Sequence, residues 1–78
     1  MTKVIVCVER GSLASRAIPD TYLGRQEFSG EDPAAVMREV PEELAEYAHR
    51  VLWEAENVDP DGHAFISGIG WEAEAQIS

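Results

Sequence analysis

The segment Lys3-Val4-Ile5-Val6-Cys7-Val8-Glu9 constrains the fold more than any other stretch of the chain. It is short and rich in β-branched residues, so it reads as a strand. Alternation puts Val4, Val6 and Val8 on one face and Ile5 and Cys7 on the other. Both faces are apolar. A strand of that kind belongs inside a sheet, with neighbours on either side. A chain of 78 residues has room for one modest core around it. The expectation is a single small acidic domain over residues 1–78.

The other elements follow from punctuation and period. Gly11 and Ser12 begin a turn, Pro19-Asp20 marks a bend, and residues 21–28 read as a second strand weakened by Gly24. Gly30-Glu31-Asp32-Pro33 is a helix start, with Asp32 as the cap and Pro33 at the first helical position. Pro41 then removes an amide donor and clashes with the turn before it. This predicts a short helix near 33–39, a kink, and a longer helix to about 56. In the longer part Leu44, Ala48, Val51, Leu52 and Ala55 recur on one face. Asp59-Pro60-Asp61-Gly62 is a turn. Residues 63–69 are mostly apolar, and 71–77 alternate with period two, which favours a hairpin across Gly68-Ile69-Gly70. The predicted class is α+β: a small antiparallel sheet of three to four strands with one kinked helix, about 33–56, packed on one face.

Charge is distributed unevenly. The net charge is −9, yet residues 1–30 net +1, residues 31–61 net −8 and the last stretch nets −2. The acidic middle is the helical region. Such a field repels nucleic acid and acidic membranes and attracts basic protein surfaces. There is one cysteine, Cys7, which rules out an internal disulfide and suits a reducing cytoplasm. No stretch approaches the ~20 apolar residues of a membrane span, and the N-terminal residues lack the apolar run of a secretory signal. The chain therefore reads as cytoplasmic.

Trp53 is the first candidate for a binding residue. At about 100° per residue it lies opposite Leu44 and Ala55, on the polar side of the helix. His49, Arg50, Glu56 and Asn57 are its neighbours, and Glu46 and Glu42 lie further back on the same side. A large aromatic ringed by acids resembles an interface anchor with a charged rim. The plainer reading is that the kink or a loop covers it as a second small core. The acids Glu39, Glu42, Glu43, Glu46, Glu54 and Glu56 also have two readings. They are a solvated surface, or they imitate a phosphate backbone before a Lys/Arg groove.

Other constellations point away from chemistry. Asn57-x-Asp59-x-Asp61-Gly62 matches a calcium loop in part, but the twelfth position is Gly68 where a bidentate Glu is needed. A Pro-Asp-Gly turn accounts for the same residues. Cys7, His49 and His63 have no zinc spacing, Ser12 and Ser15 sit in no nucleophile motif, and Gly68-x-Gly70 lacks the rest of a phosphate cradle. Neither a metal nor a cofactor is expected, and no enzyme activity.

Residues 18–36, Ile-Pro-Asp-Thr-Tyr-Leu-Gly-Arg-Gln-Glu-Phe-Ser-Gly-Glu-Asp-Pro-Ala-Ala-Val, resemble the HicB-like antitoxin pattern. Pro19-Asp20 and Gly24 match its turn and Gly30-Glu31-Asp32 its helix start, with Pro41 a departure; the likeness covers about residues 2–56. It implies a compact sheet, crossed by a helix, that neutralises a basic RNA-cleaving toxin. Size and charge are also similar, as a class, to the small acidic inhibitors that phages use against host nucleases, including anti-CRISPR proteins.

The reading that follows is a non-enzymatic inhibitor whose acidic helix blocks a basic, nucleic-acid-binding surface of a CRISPR effector or similar partner. Trp53 would be its anchor, with Glu42, Glu43, Glu46, His49, Glu54 and Glu56 around it. A HicB-like antitoxin is the alternative. A third possibility is a self-associating structural subunit, a homodimer joined through Trp71 or through 71–77 as an edge strand.

Overall fold

In the computed structural model, residues 3–10 and 24–78 are described. The elements are β1 (Val4–Arg10), β2 (Gly24–Gly30), α1 (Pro33–Glu39), α2 (Glu42–Asn57), β3 (His63–Gly68) and β4 (Trp71–Ile77). The four strands form one antiparallel sheet in the order β2-β1-β4-β3. Both helices pack on the same face, α1 over β2 and β1, and α2 over β4, β3 and β1. This is the expected α+β arrangement with four strands.

β1 is interior, as its two apolar faces require. Only one of those faces meets the helices, however. Val4, Val6 and Val8 are buried there against Val36, Leu44, Ala48, Val51, Leu52 and Ala55. Opposite them on β4 stand Ala73 and Ala75, both buried. These short side chains let α2 lie close to the sheet. On the other face Ile5 is half-buried and Cys7 is 6% exposed, without a second layer of structure among the described residues.

The kink at Pro41 is a complete break. Val40 closes α1 in an extended conformation, Pro41 follows at φ −58° and ψ 149°, and α2 starts anew at Glu42. A residue before proline is driven out of the helical region, which is why Val40 extends. Asp32 caps α1 as expected, its Oδ1 accepting from the Ala35 amide at 2.7 Å. Glu42 and Glu43 occupy the first turn of α2, where negative charge complements the helix dipole.

Three expectations need correction or delimitation. The second strand runs Gly24–Gly30, two residues beyond the predicted end at 28; the turn at Gly11-Ser12, the bend at Pro19-Asp20 and residues 21–23 lie outside the described residues. The segment 71–77 is not an edge. β4 is hydrogen-bonded to β1 on one side and β3 on the other, so it has no free side for a second copy. Trp71 is equally committed. It is half-buried, packs against the core, and meets Tyr47 edge-on with ring centroids 4.6 Å apart.

The helix α2 returns to the sheet through a turn at 59–62. Asp59 Oδ1 accepts from the Asp61 amide at 2.8 Å, an Asx turn, and Gly62 sits at φ +70°. A β-carbon on Gly62 would lie 2.6 Å from the Ile77 carbonyl oxygen, so glycine is required twice over here. The residues of the calcium-like pattern form this turn, and no group of three or more His, Cys, Asp or Glu placed to hold a metal ion occurs among the described residues.

Candidate binding groove between the two helices

Trp53 is 54% exposed, on the side of α2 away from the sheet. Because the chain breaks at Pro41, α1 folds back beside α2 and forms a wall next to it. Pro33, Ala34 and Met37 of α1 face His49, Leu52, Trp53 and Glu56 of α2 across a groove of about 250 Å³. Leu52 is buried at its floor. The two readings of Trp53 are thus partly combined: one flank of the ring borders the α1 wall, and more than half of its surface stays open. The helix is regular beneath it, with the Asn57 side-chain amide donating to the Trp53 carbonyl at 2.9 Å.

The acids divide into two groups. Glu42, Glu46 and Glu56 are exposed and share the Trp53 side of the helix, as does His49. Glu43 and Glu54 lie roughly 90° further round at about 100° per residue, on the Arg50 and Tyr47 flank. Glu54 is also half-buried. The structure therefore brings Trp53, His49, Glu42, Glu46 and Glu56 to one surface, and sets Glu43 and Glu54 apart from it. The α1 wall was not expected. Its signal in the sequence is the four-residue spacing of Pro33 and Met37, which puts both on one side of a helix too short to bury them.

The open face of the sheet forms a second, smaller surface. In register across the strands run Glu27, Cys7, Glu74 and Phe65. Cys7, Glu9, Arg25, Phe65, Glu72, Ala73 and Glu74 line a hollow of about 110 Å³. The Arg25 guanidinium donates to Cys7 Sγ at 3.1 Å, and Cys7 Sγ lies 3.5 Å from Glu27 Oε2. Burial pushes the Cys7 thiol above its ordinary value, the Arg25 charge opposes that, and Glu27 adds to it. A thiol held protonated is a poor nucleophile. His63 Nε2 lies 2.9 Å from Glu74 Oε2 beside the hollow. Phe65 is 55% exposed. The sequence carries no period-two signal for this residue, since Ala64, Phe65 and Ile66 are apolar in succession, and its exposure depends on the strand order.

No family model matches the chain, and no curated protein and no solved structure matches it either. No described helix is long and apolar enough to cross a membrane.

Proposed function

We propose that this protein is a non-enzymatic, acidic binding module that uses the groove between α1 and α2 to occupy a basic, nucleic-acid-binding surface of another protein. The observation that carries this reading is the exposed Trp53, beside an apolar wall and among Glu42, Glu46 and Glu56. An aromatic anchor beside a small pocket, within a charged rim, is the arrangement that concentrates binding energy. The net charge of −9 matches it to a basic partner. Carboxylates spaced along a helix would meet the Lys and Arg side chains that otherwise hold phosphates. An inhibitor of an anti-CRISPR kind acting in the cytoplasm fits this chemistry; a HicB-like antitoxin against a basic RNase would use the same surface.

Competition tests the reading. A basic nucleic-acid-binding partner, loaded with labelled nucleic acid, should release it as this protein is added. Glu42→Lys, Glu46→Lys and Glu56→Lys together should abolish release while circular dichroism stays unchanged. Nucleic acid and this protein bound together on the partner, without competition, would refute the mimicry.

A further inference from the structure

The two edges of the sheet are chemically different. β2 carries Arg25 and Glu27, both exposed and paired at 3.7 Å, on its open face. Charged side chains of that kind blunt an edge against pairing with another strand. β3 reads His63-Ala64-Phe65-Ile66-Ser67-Gly68 and has no Lys, Arg, Asp, Glu or Pro. Its one titratable side chain, His63, already faces Glu74.

The free hydrogen-bonding groups of β3 can be assigned from the ladder. The Ile77 amide donates to the Gly62 carbonyl at 2.7 Å, while Lys3 and Ser78 exchange both backbone bonds at 3.1 and 3.0 Å. Bonded pairs alternate along antiparallel strands. The odd-numbered residues of β4 therefore bond to β3, and they oppose Ala64, Ile66 and Gly68. His63, Phe65 and Ser67 turn their N–H and C=O groups outward, and no other described backbone group meets them.

We propose that β3 is a self-pairing edge: two copies of this chain join antiparallel, β3 to β3, into one continuous eight-stranded sheet. A two-fold axis at Phe65 sets Phe65 opposite its own copy and His63 opposite Ser67. Every outward group then finds a partner of the same set, which is the self-complementarity a two-fold interface requires. The two Phe65 rings meet on the open face, where cross-strand aromatic pairs stabilise. The net charge of −9 on each copy opposes the pairing, but no acids meet directly across the seam. At about 4.8 Å per strand, Glu74 and its copy would stand about 14 Å apart, three strand spacings. That exceeds the screening length of about 8 Å at physiological ionic strength. The matching register of outward groups and the Phe65 pair favour a second copy, and β3 itself carries no acid that would select a basic peptide.

Sedimentation of the full chain, from dilute solution up to about 1 mM, tests the proposal across the range of weak affinities. A monomer–dimer equilibrium that tightens with added salt is expected, because salt screens two acidic copies. Ser67→Pro deletes an outward amide without touching the β3–β4 ladder, and Phe65→Lys places a charge at the axis. Both should give monomer with unchanged circular dichroism. Hydrogen exchange on the unmodified protein gives an independent readout: the Phe65 and Ser67 amides should gain protection as concentration rises. A chain that stays monomeric throughout overturns the proposal and leaves the edge to a strand of some other protein. A dimer whose Phe65 and Ser67 amides exchange freely overturns it too, as does one that survives both substitutions.

Discussion

Trp53 and Phe65 are almost equally exposed, at 54% and 55%, yet they belong to opposite kinds of surface. Trp53 stands on a helix among Glu42, Glu46 and Glu56, beside a wall made by another helix. Phe65 stands on an edge strand whose only ionisable side chain faces Glu74. A single exposed aromatic does not by itself mark a site. Its surroundings say what kind of partner suits it. Under the two proposals, the first surface would take positive charge and weaken as salt screens it; the second would take a strand and strengthen when salt screens two acidic copies.

Substitutions ordered by size separate the two surfaces from the framework they share. Leu44→Ala should have the largest effect, destabilising the fold by about 2–5 kcal/mol, because Leu44 is fully buried where α2 meets the sheet. Both surfaces should fail together, and a denaturant midpoint reads the loss. If one surface outlasts the other across that transition, they do not share one cooperative core. Trp53→Ala should cost about 2 kcal/mol or more of partner binding, some thirtyfold in Kd, with self-association untouched. Calorimetry and sedimentation on the same sample give both numbers.

Asp32→Ala removes the cap of α1 and should cost about 0.5–2 kcal/mol. Its value lies in selectivity. α1 is a wall of the groove and makes no part of β3, so partner binding should suffer while dimerisation does not. Equal losses would mean that the α1 wall is irrelevant to Trp53.

The smallest expected effect is on pH dependence. Burial raises the proton affinity of both Cys7 and Tyr47 in the folded chain. For such groups the stabilisation is complete below their ordinary values, 9.0 and 10.0, and is lost as pH climbs through the raised ones. The melting temperature should therefore start to decline in the alkaline range, and Cys7→Ala should delay the onset. A decline that begins at neutral pH would assign it to other groups.

The framework was legible because its signals are local. The two-faced apolar run at 4–8, the cap at Asp32, the break at Pro41 and the stripe from Leu44 to Ala55 each fix their own element. What could not be read is where elements meet. Alternation in 71–77 shows a strand but not its rank in the sheet, so β4 could be taken for an edge when β3 is one. The helical period placed Trp53 outside the core correctly. It could not show that α1 returns beside it, because that depends on the angle of the turn at Val40–Pro41. Nor could a one-dimensional cluster of glutamates show that Glu43 and Glu54 flank a different side of α2 from Glu42, Glu46 and Glu56.

The most direct test is a low-salt pull-down from a bacterial lysate, run in parallel with the unmodified chain, Trp53→Ala and Phe65→Lys, with bound proteins identified by mass. The expected result is a basic nucleic-acid-binding protein held by the unmodified chain and by Phe65→Lys, released by salt, and absent from Trp53→Ala. Retention that ignores both salt and Trp53, or that disappears with Phe65→Lys, would contradict the assignment of partner binding to the helical groove.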